Sequence, residues 1–368
     1  MPSASQPAHA DHPGAADDRG SARRFVVGVD IGGSSIRAGL IPVESGPPVG
    51  WKVRSTPQSG DEDEVAAALA ETVQSTLEAG RADRREAGAV RDTVVLGVGI
   101  GATGLVDGER GVLVENSRLG WTQMPLSDAV VSRTGLPCTL ENDANAAALG
   151  EWWRGAGRGS KCLLCLTLGT GVGGGLVWAG QPFRGARGLA CEMGHICIDP
   201  GGRQCGCGAR GCLEAYVSGD AIAARAAEVI GPVGGGFGGT EGEEAGGGPI
   251  VLTARRVVRR ARRGDPACKS LVQETGEVLG LGLASLISAL NPDRVVVAGR
   301  VARAGDLLLA PSREVVRQRV MEPMRRGLEI VTGHLGNQAG SVGAAGAFLL
   351  AERQGEGIGA LPEGPRVA

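Results

Sequence analysis

The sequence predicts an α/β protein built from two domains. A strand, a glycine-rich turn and a second apolar run occur twice along the chain. The first copy is Phe25–Asp30, Gly32-Gly33-Ser34-Ser35 and Ile36–Ile41; the second is Cys162–Leu168, Gly169–Gly175 and Leu176–Ala179. This pairing reads as an internal duplication. Stretches with helical apolar spacing lie between and beyond the two units, so strands and helices are interleaved. At 368 residues the chain has room for two domains, or for one large domain with insertions.

The elements follow in order. Residues 1–24 are rich in Ala, Pro, Asp and Gly without apolar periodicity, and read as a disordered tail. Asp61–Ala79 starts acidic and carries helical apolar spacing, which predicts a surface helix. A strand is expected at 94–100 and a helix at Asp143–Trp153. Gly231–Pro249 (GPVGGGFGGTEGEEAGGGP) has the composition of a flexible surface insertion. Leu271–Leu290 is nearly all apolar and predicts a buried helix, stopped by Asn291-Pro292. Residues 294–298 (RVVVA) form a core strand, Gln338–Glu352 a final helix, and 354–368 a loose tail.

Composition narrows the functional classes. Hydrophobic residues make up 42% of the chain but aromatics only 3%, so the core is built from Val, Leu, Ile and Ala. A net charge of -2 offers no basic footprint for nucleic acid. No apolar run approaches the ~20 residues that span a bilayer, and the N-terminus has no signal-peptide core. The 9 cysteines are an odd number; Cys138, Cys162, Cys165, Cys191 and Cys268 lie in apolar or mixed settings, as in a reducing compartment. The expected location is cytoplasmic.

Residues 195–212 hold the sharpest signal. His195, Cys205, Cys207 and Cys212 bring one imidazole and three thiols onto a glycine-rich stretch that can curl around one point. That is the ligand set of a closed, tetrahedral, structural Zn²⁺ site. Reduced core cysteines or a disulfide are the alternatives. Cys205 and Cys207 are too close in sequence to bridge easily, and buried structural cysteines rarely cluster among glycines.

Other residues point to phosphate and hydroxyl chemistry. The two glycine turns expose backbone N–H groups where an anion can sit, although neither has the Gly-Lys-Ser/Thr of a P-loop. Asp30 places a carboxylate beside Gly32, Gly33 and Ser34, suited to a Mg²⁺ shell next to a phosphate. Thr170 and Gly171 offer a hydroxyl and amides at the second turn. Glu141-Asn142-Asp143-Ala144-Asn145 places four polar groups where a strand meets a helix. Helix capping explains one of them; a carboxylate there can also take a proton from a substrate hydroxyl. Glu192, His195 and Glu214 flank the cysteine cluster and suit a polyhydroxyl ligand, whose groups both donate and accept.

Together these segments resemble the ROK family of sugar kinases and related repressors. The likeness runs from about Phe25 to Leu350, on VGVDIGGSSIRAGL (27–40), LENDANAAALGE (140–151), LTLGTGVGGG (166–175), EMGH (192–195), CGCGARGCLEAYVSG (205–219) and LGNQAGSVGAA (335–345). The motifs look most like those of the family's ATP-dependent glucokinases. The resemblance implies an actin-like ATPase (ribonuclease H-like) fold, two domains around a cleft. The first would span 25–142, completed by the helix near 338–352; the second would span 143–337 with the zinc site. Asp143 would be the catalytic base, and Asn142, Glu192, His195 and Glu214 would hold the sugar. Asp30, Gly32, Gly33, Ser34, Thr170 and Gly171 would line ATP and Mg²⁺, with Gly299 near the adenosine. His195 would also bind Zn²⁺ with Cys205, Cys207 and Cys212. The implied reaction phosphorylates a hexose 6-hydroxyl, glucose first, in a homodimer or homotetramer.

Three segments depart from the family pattern: Ala102–Asp107, Arg118 where an Asn is common, and Arg300 in a Gly-Gly-Gly position. Another hexose or N-acetylhexosamine, or polyphosphate as donor, therefore stays open. A sugar-responsive regulator is the other class, but residues 1–24 carry no helix-turn-helix pattern.

Overall fold

Strand β1 (Arg23–Ile31) turns at Gly32–Ser34 into β2 (Ser35–Pro42), followed by β3 (Val49–Ser55) and the long helix α1 (Glu62–Glu86). Next come β4 (Thr93–Ala102), a small meander of β5 (Leu105–Asp107), β6 (Val112–Asn116) and β7 (Trp121–Met124), then α2 (Leu126–Thr134) and β8 (Cys138–Asn142). Helix α3 (Asp143–Arg154) leads to β9 (Cys162–Leu168), β10 (Val172–Trp178) and β11 (Gln181–Pro182). After the cysteine-rich loop come α4 (Glu214–Val217), α5 (Gly219–Ile230), α6 (Ala254–Arg262), α7 (Pro266–Leu290) and β12 (Arg294–Ala298). The chain ends with α8 (Gly299–Ala302), α9 (Asp306–Arg319), α10 (Glu322–Arg325), β13 (Glu329–Thr332) and α11 (Ala339–Gly355). This computed structural model describes residues 22–86, 93–230 and 252–355; the expected insertion at 231–249 lies outside them.

The repeat read from the two glycine turns extends to whole sheets. One sheet runs β3-β2-β1-β4-β8 and the other β11-β10-β9-β12-β13. In both, the first two pairings are antiparallel and the last two parallel. Both central strands are buried on two faces, which is why they read as continuous apolar runs rather than alternating ones. Val27 and Val29 of β1 face a core shared with α1 and the meander, while Val26 faces the opposite way. Likewise Leu164, Leu166 and Leu168 of β9 face the α7 side, and Leu163 and Cys165 the other. The inward faces of both sheets meet one apolar layer containing Leu149 and Trp153 of α3 and Phe348 and Leu349 of α11.

Several boundaries differ from those expected, each for a local reason. Arg23 and Arg24, assigned to a disordered tail, pair with Thr93 and Val94 as the first residues of β1. Gln354 and Gly355, assigned to the loose tail, complete α11; residues 356–368 are outside the described set. The second glycine turn is shorter than its composition suggested, because Gly173, Gly174 and Gly175 belong to β10. Their role is close approach: a Cβ on Gly175 would lie 2.5 Å from the Ala148 side chain, and one on Gly173 2.7 Å from Ala144, both on α3. Helix α7 begins five residues before Leu271, because Asp265 accepts the Cys268 amide at 3.0 Å and Pro266 occupies the first turn.

Candidate active site

The junction of β8 and α3 organises the site. Asn142 caps α3, its Oδ1 accepting the amides of Ala144 (2.9 Å) and Asn145 (3.1 Å), and its Nδ2 donates to the Gly104 carbonyl at 3.1 Å. Capping therefore accounts for Asn142. It leaves Asp143 free to serve something else, although its Oδ1 also accepts the Ala144 amide at 2.9 Å. Burial pushes the Asp143 carboxyl up to about 7, with the charges of Asp30 and Glu192 adding to the rise; the Ala144 amide and the Thr103 hydroxyl oppose it. Asp30 also rises through burial, against the lowering effect of Arg37, which donates to its Oδ2 at 3.4 Å. The Asp30 and Glu192 carboxylates thus lie near enough for their charges to act on Asp143. That grouping favours a proton-donating hydroxyl or a cation.

Glycine turns from the two sheets approach this grouping. In the first, the Gly32 amide donates to Ser35 O (3.0 Å), the Thr56 hydroxyl donates to Gly32 O (2.7 Å) and the Thr56 amide to Ser34 O (3.3 Å). In the second, the Gly169 amide donates to Gly171 O (2.9 Å), and the Gly219 amide donates back to Gly169 O (2.7 Å). Of the turn amides expected to be open to an anion, those of Gly32 and Gly169 instead close the turns. Gly299, at φ 90, packs on the end of β9, where a Cβ would sit 2.5 Å from Leu168 O. Thr170 Oγ1 accepts from Arg300 at 3.2 Å.

The cysteine-rich loop packs against β10, where a Cβ on Gly194 would sit 2.2 Å from Val172 O. Glu192 precedes a short 3₁₀ turn, Met193–His195, and is exposed. Cys191 before it holds a φ of 72, with the Met193 amide 2.6 Å from Cys191 O, a strained turn for a residue with a side chain. The donor atoms of His195, Cys205, Cys207 and Cys212 all lie within 4.8 Å of one another. Cys207 and Cys212 sulfurs are 3.6 Å apart, and Cys205 Sγ is 3.7 Å from His195 Nδ1. A tetrahedral Zn²⁺ with 2.3 Å Zn–S bonds sets ligand sulfurs about 3.8 Å apart, so the donor set fits that ion. Burial pushes Cys212 up to about 12, while the Ala209 amide holds Cys207 below its usual value. Cys197, nearby in sequence, stays outside the donor set and points its thiol at Arg210 O. Glu214 joins the loop to the second turn: its Oε2 accepts the Val172 amide at 2.8 Å and its Oε1 lies 3.8 Å from Cys205 Sγ.

Five supporting residues have roles that the sequence alone does not assign. Glu141 is buried, accepts the Asn142 amide and pairs with Arg184 at 2.6 Å. Glu151, fully buried, accepts the amides of Ala156 (2.8 Å), His334 (3.0 Å) and Leu335 (2.9 Å). Thr103 supports Asp143, and Asn116 donates to Thr103 O at 2.8 Å. Glu141 and Glu151 lie inside a motif already singled out. Arg184 follows β11 in a loop and Asn116 ends the short strand β6, and neither stretch is long enough to carry a periodic signal.

The family model described as "ROK family" matches residues 26–353. The chain belongs to the ROK family. It is 35% identical over 342 residues to the glucokinase of Halalkalibacterium halodurans, covering 90% of this chain and 96% of that protein. A crystal structure of a ROK family glucokinase from Streptomyces griseus, in complex with glucose and AMPPNP, superposes with a TM-score of 0.70 at 34% identity, covering 88% of this chain and 98% of that one. The ROK hexokinase of Thermus thermophilus gives 0.69 at 33% identity, over 89% and 99%. Family and fold class both agree with the reading from the motifs: the duplicated sheets are the actin-like ATPase arrangement of ROK sugar kinases.

Proposed function

We propose that this protein transfers the terminal phosphoryl group of ATP to the 6-hydroxyl of glucose, giving glucose 6-phosphate and ADP. The observation that carries the reading is Asp143, a recessed carboxylate raised to about 7 at the head of α3. A base with that affinity accepts a hydroxyl proton near neutral pH while a substantial fraction of it stays ionised. Its likeness along nearly the full chain to glucokinases supports the same conclusion.

Asp143 takes the proton as the 6-oxygen attacks. Glu192, His195 and Glu214 hold the remaining hydroxyls, with Asn142 contributing its spare Nδ2 hydrogen. Phosphoryl transfer depends on positioning and charge stabilisation more than on covalent chemistry. Gly33, Ser34, Thr170 and Gly171 would meet the phosphates through backbone and hydroxyl groups, while Gly32 shapes the first turn and Gly299 borders the adenosine. Mg²⁺, held near Asp30, would neutralise charge on the phosphates. Asp30 must share its carboxylate with Arg37 to do so. Zn²⁺ on His195, Cys205, Cys207 and Cys212 would be structural, fixing the turn that carries Glu192. Closure of the two halves would keep water from competing as acceptor. A cytoplasmic homodimer or homotetramer is the working form we propose; no helix among the described residues is long and apolar enough to cross a membrane.

The test is ADP release over glucose, mannose, fructose, N-acetylglucosamine and N-acetylmannosamine, with ATP or polyphosphate as donor. Glucose with ATP should give the highest kcat/KM. A higher value for any other pair would replace the substrate assignment, and no sugar-dependent turnover would overturn the kinase reading.

A further inference from the structure

Two arginines from distant parts of the chain point at the glycine turns. Arg300 follows Gly299, which is locked against Leu168, and its guanidinium donates to Thr170 Oγ1 at 3.2 Å. Arg118 comes from the other half of the molecule. Its backbone is held by Asn116, whose Oδ1 accepts the amides of Arg118 and Leu119, both at 3.1 Å. The Arg118 stem lies over the first turn: a Cβ on Gly33 would sit 3.5 Å from its Cδ and 3.8 Å from its Nε. Its Nη2 then reaches across to Asp220 at 3.9 Å, and the Asp220 amide is 3.5 Å from Thr170 O.

Neither arginine has a strong partner here. The Arg118–Asp220 pair is long, with side chains 66% and 74% exposed, so solvent screens most of its attraction. Arg300 donates to a neutral hydroxyl. A phosphate offers each guanidinium a charged, forked acceptor, which outcompetes both resting contacts. The negative charges of Asp30 and Glu192 act on Asp143, so phosphates entering beside them need compensating positive charge.

We propose that Arg118 and Arg300 form a phosphate clamp between the two glycine turns. Arg300 holds the donor phosphates at Gly169–Gly171, and Arg118 leaves Asp220 to hold the phosphoryl group on the sugar side of Gly33. The clamp rests on the kinase reading above and adds the residues that recognise the phosphates.

The experiment compares Arg300→Gln, Arg118→Gln and both Lys variants with wild type, using calorimetric binding of AMPPNP, adenosine, glucose and glucose 6-phosphate. Arg300→Gln should weaken AMPPNP roughly tenfold or more while leaving adenosine within about twofold. Arg118→Gln should weaken glucose 6-phosphate by a similar factor, leave glucose within about twofold and lower kcat. Each Lys variant should recover part of the loss. Equal weakening of AMPPNP and adenosine, or of glucose 6-phosphate and glucose, would overturn the clamp in favour of a general packing role. So would unchanged affinities in variants that bind and turn over like wild type. Wild-type protein without any sugar-dependent ADP release would instead refute the kinase reading, so the two failures are distinct.

Discussion

Asp143 is kept in a state that costs the folded protein stability. Its carboxyl holds a proton to about 7, against 3.8 in an unfolded chain. Between those values the native state binds the proton more tightly, so stability falls as pH rises from about 4 to 7 and the loss is complete above that. Asp143→Asn cannot ionise and escapes the loss. We expect the variant to be more stable than wild type at pH 8, by on the order of a few kcal/mol, with the margin shrinking toward pH 5. Turnover should fall roughly 10²–10⁴-fold, and wild-type kcat/KM should climb with pH through about 7. Denaturant unfolding at the two pH values and a pH–rate profile check this; a variant that is less stable and still active would remove Asp143 from the mechanism. The same five-residue stretch shows why sequence alone left roles open. Asn142 and Asp143 are adjacent and chemically alike, and only backbone direction makes one the cap and the other the recessed acid.

At the scale of elements, α3 and α11 pack through backbone rather than through large side chains. A Cβ on Gly343 of α11 would fall 1.5 Å from Ala146 O of α3, a contact no relaxation of a flexible side chain can relieve. Gly343→Val should therefore destabilise by about 3 kcal/mol or fail to fold, because overpacking here pushes two helices apart; thermal melting measures it. The cysteine loop depends on a different force. Three of its four clustered donors are thiols, and in our proposal a bound ion holds them together. Cys207→Ser should lower bound zinc, measured by elemental analysis, and reduce the melting temperature. Stoichiometric zinc absent from wild-type protein purified without chelator would sink the structural-metal reading. The donor set was legible because it is local, within eighteen residues, and its types are specific to one chemistry. The glycine run at 169–175 was read too long as a turn, since glycine serves close packing and turns alike and composition does not separate the two.

Across the whole molecule, two sheets share one apolar layer of α3 and α11, and the site lies where their glycine turns converge. Ligands that touch both halves should therefore reinforce each other. AMPPNP at a hundred times its dissociation constant should stabilise by about 2.7 kcal/mol, and glucose added with it should raise the melting temperature by more than the sum of the two alone. Strictly additive shifts would place the ligands on independent surfaces. The chain's order of residues was enough for the repeated strand–turn–strand units, the His/Cys cluster at 195–212, the carboxylate at the head of α3 and the family, because each is written within a few neighbouring positions. Folding alone brought Glu141 to Arg184, 43 residues on, and the Glu151 carboxylate to amides 183 and 184 residues away. It also set Arg118 beside Asp220. Such contacts leave no periodic trace in sequence, because buried charge and hydrogen-bond demand are met by whichever chain segment the packed sheets deliver.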